Sequence, residues 1–264
     1  MQRRRIDTAL VDRGFFLSPE RAGAAVLAGD VRVDGEVVTT AGYAVAHDAV
    51  IEVAEHRRYV SRGGEKLSGA LDAFDLDVSG LRVVDVGAST GGFTDCVLQR
   101  GASSVCAVDV GYGQLAWSLR SDPRVTVFDR LNVRAADPAQ LGAPFDVVVV
   151  DVSFISLRVV LPHLMELLGD EGQLVALVKP QFEAGKASVG KRGVVRDQLV
   201  HEQVLGAAAE AVRAAGLVVR GLTFSPIKGP EGNIEFWIWA ARSGAPTEGT
   251  AESVVASAHT TLGG

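Results

Sequence analysis

Lys66, Asp151, Lys179 and Glu235 each stand at or beside the end of an apolar run. An unpaired ammonium or carboxylate is costly to bury, so charges in such places need partners. Two lysines and two carboxylates can neutralise one another. Such a cluster can also lower the pKa of a lysine until it works as a base. The spacing predicts that the four meet in one cleft. Asp151 follows Val147–Val150, Lys179 follows Leu174–Val178, and Glu235 opens an apolar run ending near Ala241. Lys66 belongs to Ser61-Arg-Gly-Gly-Glu-Lys-Leu67, a helical segment able to fold across that cleft.

A second group of residues lies in the loop Gly87-Ala-Ser-Thr-Gly-Gly92, which differs from the G-x-G-x-x-G of dinucleotide enzymes. Asp85 precedes it, and Asp109 lies 22 positions after Gly87, a spacing that suits a carboxylate bonded to ribose hydroxyls. A diphosphate cofactor prefers basic or purely amide surroundings. Here Asp85, Asp109 and Asp129 crowd the site with negative charge, which favours a cationic sulfonium, S-adenosylmethionine, over NAD. The expected cofactor residues are Asp85, Gly87, Ala88, Ser89, Gly91, Gly92 and Asp109, with Asp129 or Asn132 reaching the adenine.

These residues need a scaffold. Runs at Arg82–Val86, Val105–Val110, Val125–Phe128, Asp146–Val150, Leu174–Val178, Val218–Phe224 and Glu235–Ala241 read as strands. Helical patterns fill the gaps at Phe93–Arg100, Gln114–Arg120, Leu157–Leu168 and Gln198–Ala215. Alternation of this kind predicts an α/β fold, a doubly wound, Rossmann-like sheet of seven strands. Such sheets bind ligands beyond the carboxyl ends of their strands.

The segment before it reads differently. Ile6, Ala9 and Leu10 have helical spacing with Gly14 as a stop, and Ser18-Pro19-Glu20 starts a second helix ending near Gly29. Asp34-Gly35 between β-branched residues marks a hairpin over Val31–Val38, and Ala49–Val53 is another strand. This small α+β unit resembles the αL RNA-binding domain of a small-subunit ribosomal protein, pseudouridine synthases and RNA-modifying enzymes. The resemblance rests on Arg5-Ile6-Asp7, Leu10, Gly14, Ser18, Ala22, Ala25, Gly29, Val31-Arg-Val-Asp-Gly35 and Asp48 to Ile51. The domains expected are 1–58 for this module, 59–66 for a linker, 67–242 for the larger sheet and 243–264 for a mobile tail with a short helix near Ser253–Ala258.

Composition sets outer bounds. The chain has 264 residues, 47% of them hydrophobic, and a net charge of −6. No run approaches a membrane span and no apolar region follows the Arg-rich start, so a cytoplasmic protein is expected. Cys96 and Cys106 sit in apolar patterns and read as reduced, buried thiols, with no metal site. Positive charges cluster at Arg3, Arg4 and Arg5, at Arg57, Arg58, Arg62 and Lys66, and at Lys179, Lys186, Lys191, Arg192 and Arg196. A basic face matters more for a polyanion than a basic total.

The four charges resemble the Lys-Asp-Lys-Glu tetrad of the FtsJ/RrmJ class of ribose 2′-O-methyltransferases. Over residues 1–242 the chain is similar to the haemolysin-named TlyA family of ribosomal RNA methyltransferases. The strings that carry this are Asp109-Val-Gly-Tyr-Gly-Gln-Leu-Ala-Trp117, Asp151-Val-Ser-Phe-Ile-Ser156, Lys179-Pro-Gln-Phe-Glu183 and Gly232-Asn-Ile-Glu235. The resemblance implies a methyltransferase sheet, a cytidine 2′-hydroxyl as acceptor, ribosomal RNA within one or both subunits as partner, and Lys179 as base. RNA contacts are expected from Arg3, Arg4, Arg5, Arg21, Arg32, Arg57, Arg62, Lys186, Lys191 and Arg192, on a monomer. The competing readings are a non-catalytic RNA binder, a membrane-active haemolysin and an NAD-dependent oxidoreductase.

Overall fold

The structure is a computed structural model that describes residues 3–263 except 17, 28, 41, 54–57, 186–187, 191–192 and 230; the side chains of 21 and 24 are also outside the description. The chain divides into two units, Met1–Arg57 and Arg58–Gly264.

In the first unit, strand β1 (Arg3–Arg5) leads into helices α1 (Ile6–Asp12) and α2 (Pro19–Leu27). Strands β2 (Val31–Val33), β3 (Glu36–Val38), β4 (Ala44–Ala46) and β5 (Ile51–Val53) follow. Asp34 and Gly35 both take positive φ, 52° and 85°, which is what a two-residue hairpin between β2 and β3 requires. The Arg-rich start pairs with β4 in a separate ladder, a strand that charge alone concealed. Ile6, Leu10, Ala22, Val26 and Val31 are wholly buried and give the unit its own small core.

The second unit begins with α3 (Arg62–Ala73). It continues through β6 (Arg82–Val86), α4 (Gly92–Gln99), β7 (Ser104–Val108), α5 (Trp117–Arg120), β8 (Val125–Phe128), α6 (Pro138–Leu141) and β9 (Phe145–Val150). Then come α7 (Leu157–Leu167), β10 (Leu168–Val178), α8 (Pro180–Glu183), α9 (Gln198–Ala214), β11 (Val218–Phe224), β12 (Phe236–Ala241) and α10 (Ala251–Leu262). The seven-stranded sheet has the order β11-β12-β10-β9-β6-β7-β8. β12 alone runs against its neighbours, pairing antiparallel with both β10 and β11.

Side chains in a strand alternate between faces, and this alternation sorts the core. Val84, Val86, Val148, Val150, Leu174, Ala176, Phe236 and Ile238 belong to one apolar cluster, with α7, α9 and α10. Val83, Val105, Ala107, Val147, Val149, Val175, Leu177 and Trp237 belong to the other, with α3 and α4.

Two expectations about the domains change. Residues 59–66 are not a free linker: Tyr59 is buried and α3 already begins at Arg62, carrying Leu67 and Leu71 into the core. The segment 243–264 is not a mobile tail. Thr250 caps α10 through a capping box, and Val255 and Ala258 are fully buried against the sheet's core. Gly, Ser, Thr and Ala dominate this segment, and two small apolar residues on one helix face were too weak a pattern to announce packing. Both cysteines are buried and unpaired, and burial pushes their thiols up to about 11 for Cys96 and about 12 for Cys106.

Candidate active site

Alternation continued one step beyond the strands puts Asp151, Lys179 and Glu235 in the same parity as Val149, Leu177 and Trp237. That is the face covered by α3. The register Val178↔Phe236 places Lys179 and Glu235 opposite each other at the carboxyl edge, and Ala176↔Val150 brings Asp151 to the adjacent strand end. α3 presents Lys66 from its buried face, one residue before the core residue Leu67. The four residues form two ion pairs. Lys66 Nζ donates to Glu235 Oε2 at 2.5 Å, and Lys179 Nζ is paired with Asp151.

The edges of this site are fixed by short backbone contacts. Asp151 N donates to Val86 O at 2.9 Å, and Ser225 N donates to the Glu235 carbonyl at 2.8 Å. Gly229 packs closely on the site: a Cβ there would stand 2.6 Å from Glu235 Oε1, so the carboxylate would have to shift. Asn233, 1% exposed, accepts from Val195 N and donates to Gly193 O, both at 2.9 Å. It thereby ties the segment 193–195 to the strand that carries Glu235. Glu183 accepts from Ser156 Oγ and from Leu157 N, both at 2.6 Å, which secures the start of α7.

Beside the pairs, at the ends of β6, β7, β8 and β9, lies a cavity of about 460 Å³. Ser89, Asp109, Gln114, Asn132, Asp151 and Ser153 supply its polar side chains, and Gly87 also lines it. Asp109 is held by backbone: its carboxylate accepts from Ser89 N at 2.8 Å and Gly111 N at 2.6 Å. Gly87 has φ of 90°, and a Cβ there would collide with the Asp151 carbonyl. The cradle is therefore built for close backbone approach.

Other expected cofactor residues do different work. Asp85 shares the parity of Val83, so it points towards α4 and is fully buried away from the cavity. Thr94 donates to its carboxylate through N at 3.0 Å and Oγ1 at 2.7 Å. Burial still pushes the Asp85 carboxyl up to about 7. Ala88 is buried in the core, and Gly91 and Gly92 allow the close packing of Leu119 and of the Ser61–Gly64 turn. Asp129 is bound to Arg120 at 2.7 Å and does not line the cavity. Asn132 does line it, with its Oδ1 accepting from Arg134 N at 3.1 Å.

The expected RNA residues also divide. Arg3, Arg4 and Arg5 are exposed along β1, with Arg4 paired to Asp12 and Arg5 to Asp7. Arg32 is exposed and donates to Gly35 O at 2.9 Å, and Arg62 donates to Lys228 O at 2.5 Å. Arg57, Lys186, Lys191 and Arg192 lie outside the described residues, as does the side chain of Arg21. Single-residue reasoning passed over Ser153 and Phe154. Ser153 accepts from Lys179 Nζ at 3.0 Å, while Phe154 is 91% exposed and packs on Phe182 with ring centroids 5.0 Å apart.

The FtsJ-like methyltransferase model matches residues 59–242, and the S4 domain model matches residues 4–51. The chain is 46% identical, over 90% of each chain, to the 16S/23S rRNA (cytidine-2′-O)-methyltransferase TlyA of Mycobacterium tuberculosis. The chain belongs to the TlyA family of FtsJ-like methyltransferases. Another relative, Hemolysin A of Brachyspira hyodysenteriae, is 39% identical over 88% of this chain and 97% of that one. A solved structure from Streptococcus thermophilus, provisionally named a haemolysin, superposes with a TM-score of 0.77. It shares 42% identity and covers 100% of this chain and 98% of that chain. Among the described residues no helix is long and apolar enough to cross a membrane.

Proposed function

We propose that this TlyA-family protein methylates the 2′-hydroxyl of a cytidine in ribosomal RNA, using S-adenosylmethionine, and that it acts as a cytoplasmic monomer on ribosomal subunits. The observation that carries this reading is the double lysine–carboxylate pair beside an acid-lined cavity at one sheet edge. A cavity lined by Asp109, whose carboxylate has no cation beside it among the described residues, suits a cationic ligand, and the relative named for cytidine 2′-O-methylation supports the acceptor. S-adenosylmethionine, when bound, supplies a methyl group on a positively charged sulfur. Asp109 would hold its ribose hydroxyls, Gly87 and Ser89 would line its backbone cradle, and Asn132 takes over from Asp129 as the candidate for its adenine.

The remaining chemistry belongs to the protein. A ribose 2′-hydroxyl is a poor nucleophile until it gives up its proton, and a positioned base accelerates that loss by about 10²–10⁴-fold. Lys179 is the proposed base, since its partners Asp151 and Ser153 line the cavity, whereas Lys66 is held by the fully buried Glu235. Asp151 orients the Lys179 amine, and the Lys66–Glu235 pair fixes α3 against the strand that borders the site. The exposed Phe154 offers an aromatic face on which an unstacked base can rest. The first unit, with three arginines along one exposed strand, would hold phosphates without reading bases.

Transfer of radiolabelled methyl from S-adenosylmethionine to isolated subunits, followed by nucleotide mapping, tests the reaction. Labelled cytidine 2′-oxygens are expected, and no label on either subunit would refute it. Lys179→Ala should lower transfer by about 10²–10⁴-fold while subunit binding persists. Removal of residues 1–57 should weaken subunit binding and flatten its salt dependence, because fewer phosphates are then neutralised. Unchanged binding would sink the role given to that unit.

A further inference from the structure

Ser153 Oγ accepts a hydrogen bond from Lys179 Nζ at 3.0 Å, and the same nitrogen is paired with Asp151. Both partners come from one turn: Asp151 ends the β9 side of the site, and Ser153 follows two residues later on the cavity wall. The next residue, Phe154, holds φ at 64°, a backbone conformation that a bulky residue adopts only where the surroundings enforce it. Phe154 packs against Phe182 of α8, so the rings, the Ser153–Lys179 hydrogen bond, the Asp151–Lys179 ion pair and the Ser156–Glu183 hydrogen bond all join the segment after β9 to the segment after β10.

We propose that Ser153 is a positioning residue for Lys179, fixing the rotation of its amine so that one tetrahedral direction is left for the attacking 2′-hydroxyl. This rests on the reaction proposed above. An ammonium has three donor directions, and a neutral amine has two N–H bonds and one lone pair. With Asp151 as sole acceptor, the nitrogen can still turn about its bond to Cε and interchange the other two directions. A second acceptor at Ser153 removes that freedom. One N–H bond then points at Ser153, the other stays on the side of the Asp151 carboxylate in the ion pair, and the lone pair takes the remaining direction. As the 2′-hydroxyl reacts, its proton goes to this lone pair. The oxygen's freed electron pair bonds the transferred methyl, whose bond to sulfur breaks with its pair left on sulfur. The resulting ammonium loses its proton to solvent after transfer. Orientation of this kind is worth much of the gain that a bound geometry supplies over a free encounter.

Ser153→Ala and Ser153→Thr test this with two readouts. One is kcat and KM for subunit methylation. The other is the ¹⁵N ammonium resonance of Lys179 in the free protein in slightly acidic buffer, assigned by its loss in Lys179→Ala. Ser153→Ala should lower kcat about tenfold, with KM for subunits and for S-adenosylmethionine changed by less than about twofold. Its Lys179 resonance should broaden through faster exchange with water, and Ser153→Thr, which keeps the hydroxyl, should restore both. Wild-type kcat with an unchanged resonance in Ser153→Ala would overturn the proposal. So would a rise in KM at constant kcat, which would make Ser153 an RNA contact, or a Ser153→Thr variant as impaired as the alanine. A wild-type protein that transfers no methyl refutes the reaction, and the resonance alone then decides whether Ser153 holds the amine.

Discussion

Two ion pairs of the same chemistry sit at one sheet edge and differ in depth. In the Lys66–Glu235 pair the side chains are 7% and 0% exposed; in the Lys179–Asp151 pair they are 11% and 21% exposed. A lysine and a carboxylate taken out of water are held by each other, and removing either strands a charge in the interior. The outer pair keeps more water beside it, so its loss costs the fold less than loss of the inner one. Depth therefore separates the two pairs. The inner pair joins α3 to the residue that precedes β12, and the outer pair holds the lysine proposed above as the base.

The largest effects should separate along that line. Lys179→Ala should reduce methyl transfer by about 10²–10⁴-fold while lowering the urea midpoint of unfolding by less than loss of either inner partner does. Glu235→Ala, or Lys66→Ala, should destabilise the fold by about 3–5 kcal/mol in the same denaturation experiment, because the remaining partner stays buried and unpaired. Replacing both at once, Lys66→Met with Glu235→Gln, should recover most of that stability, since no charge is then stranded. Equal destabilisation by Lys179→Ala and Lys66→Ala would erase the distinction between the pairs.

The sheet, its alternation with helices and the convergence of four charges were legible in the sequence because each rests on local pattern. β-branched runs announce buried strands, and a charge at the end of such a run needs a partner. The depth of each pair was not legible, because it depends on where α3 lies across the sheet. Asp85 shows the limit of reasoning by loop position. It precedes the glycine turn, so it reads as a cofactor ligand, yet strand parity sends it towards Thr94 on α4. Asp129 shows another limit. Its charge suits a cationic ligand, but Arg120 nine positions earlier already neutralises it. Arg4 and Arg5 likewise spend part of their charge on Asp12 and Asp7 within their own unit. Spacing locates candidates, and only three-dimensional neighbours show which of them are already committed.

Asp85 extends the comparison to a buried carboxyl with no cation beside it. Glu235 is equally buried but has Lys66, whereas Asp85 has only the Thr94 amide and hydroxyl, with Asp151 and Asp109 adding repulsion. Burial raises its carboxyl to about 7, against about 3.9 for an aspartate in an unfolded chain. Between these values the folded protein binds one more proton than the unfolded one, so unfolding stability falls as pH rises. The contribution is complete below about pH 4 and lost as pH passes about 7. Asp85→Asn removes the titration and retains an acceptor for Thr94. Its stability, relative to wild type, should therefore rise by roughly 1–3 kcal/mol on going from pH 5 to pH 8. Urea unfolding of both proteins at the two pH values measures this directly. Parallel pH dependences would mean that Asp85 is already ionised in the fold at pH 5, and that an interior carboxylate here needs no lysine to hold its charge.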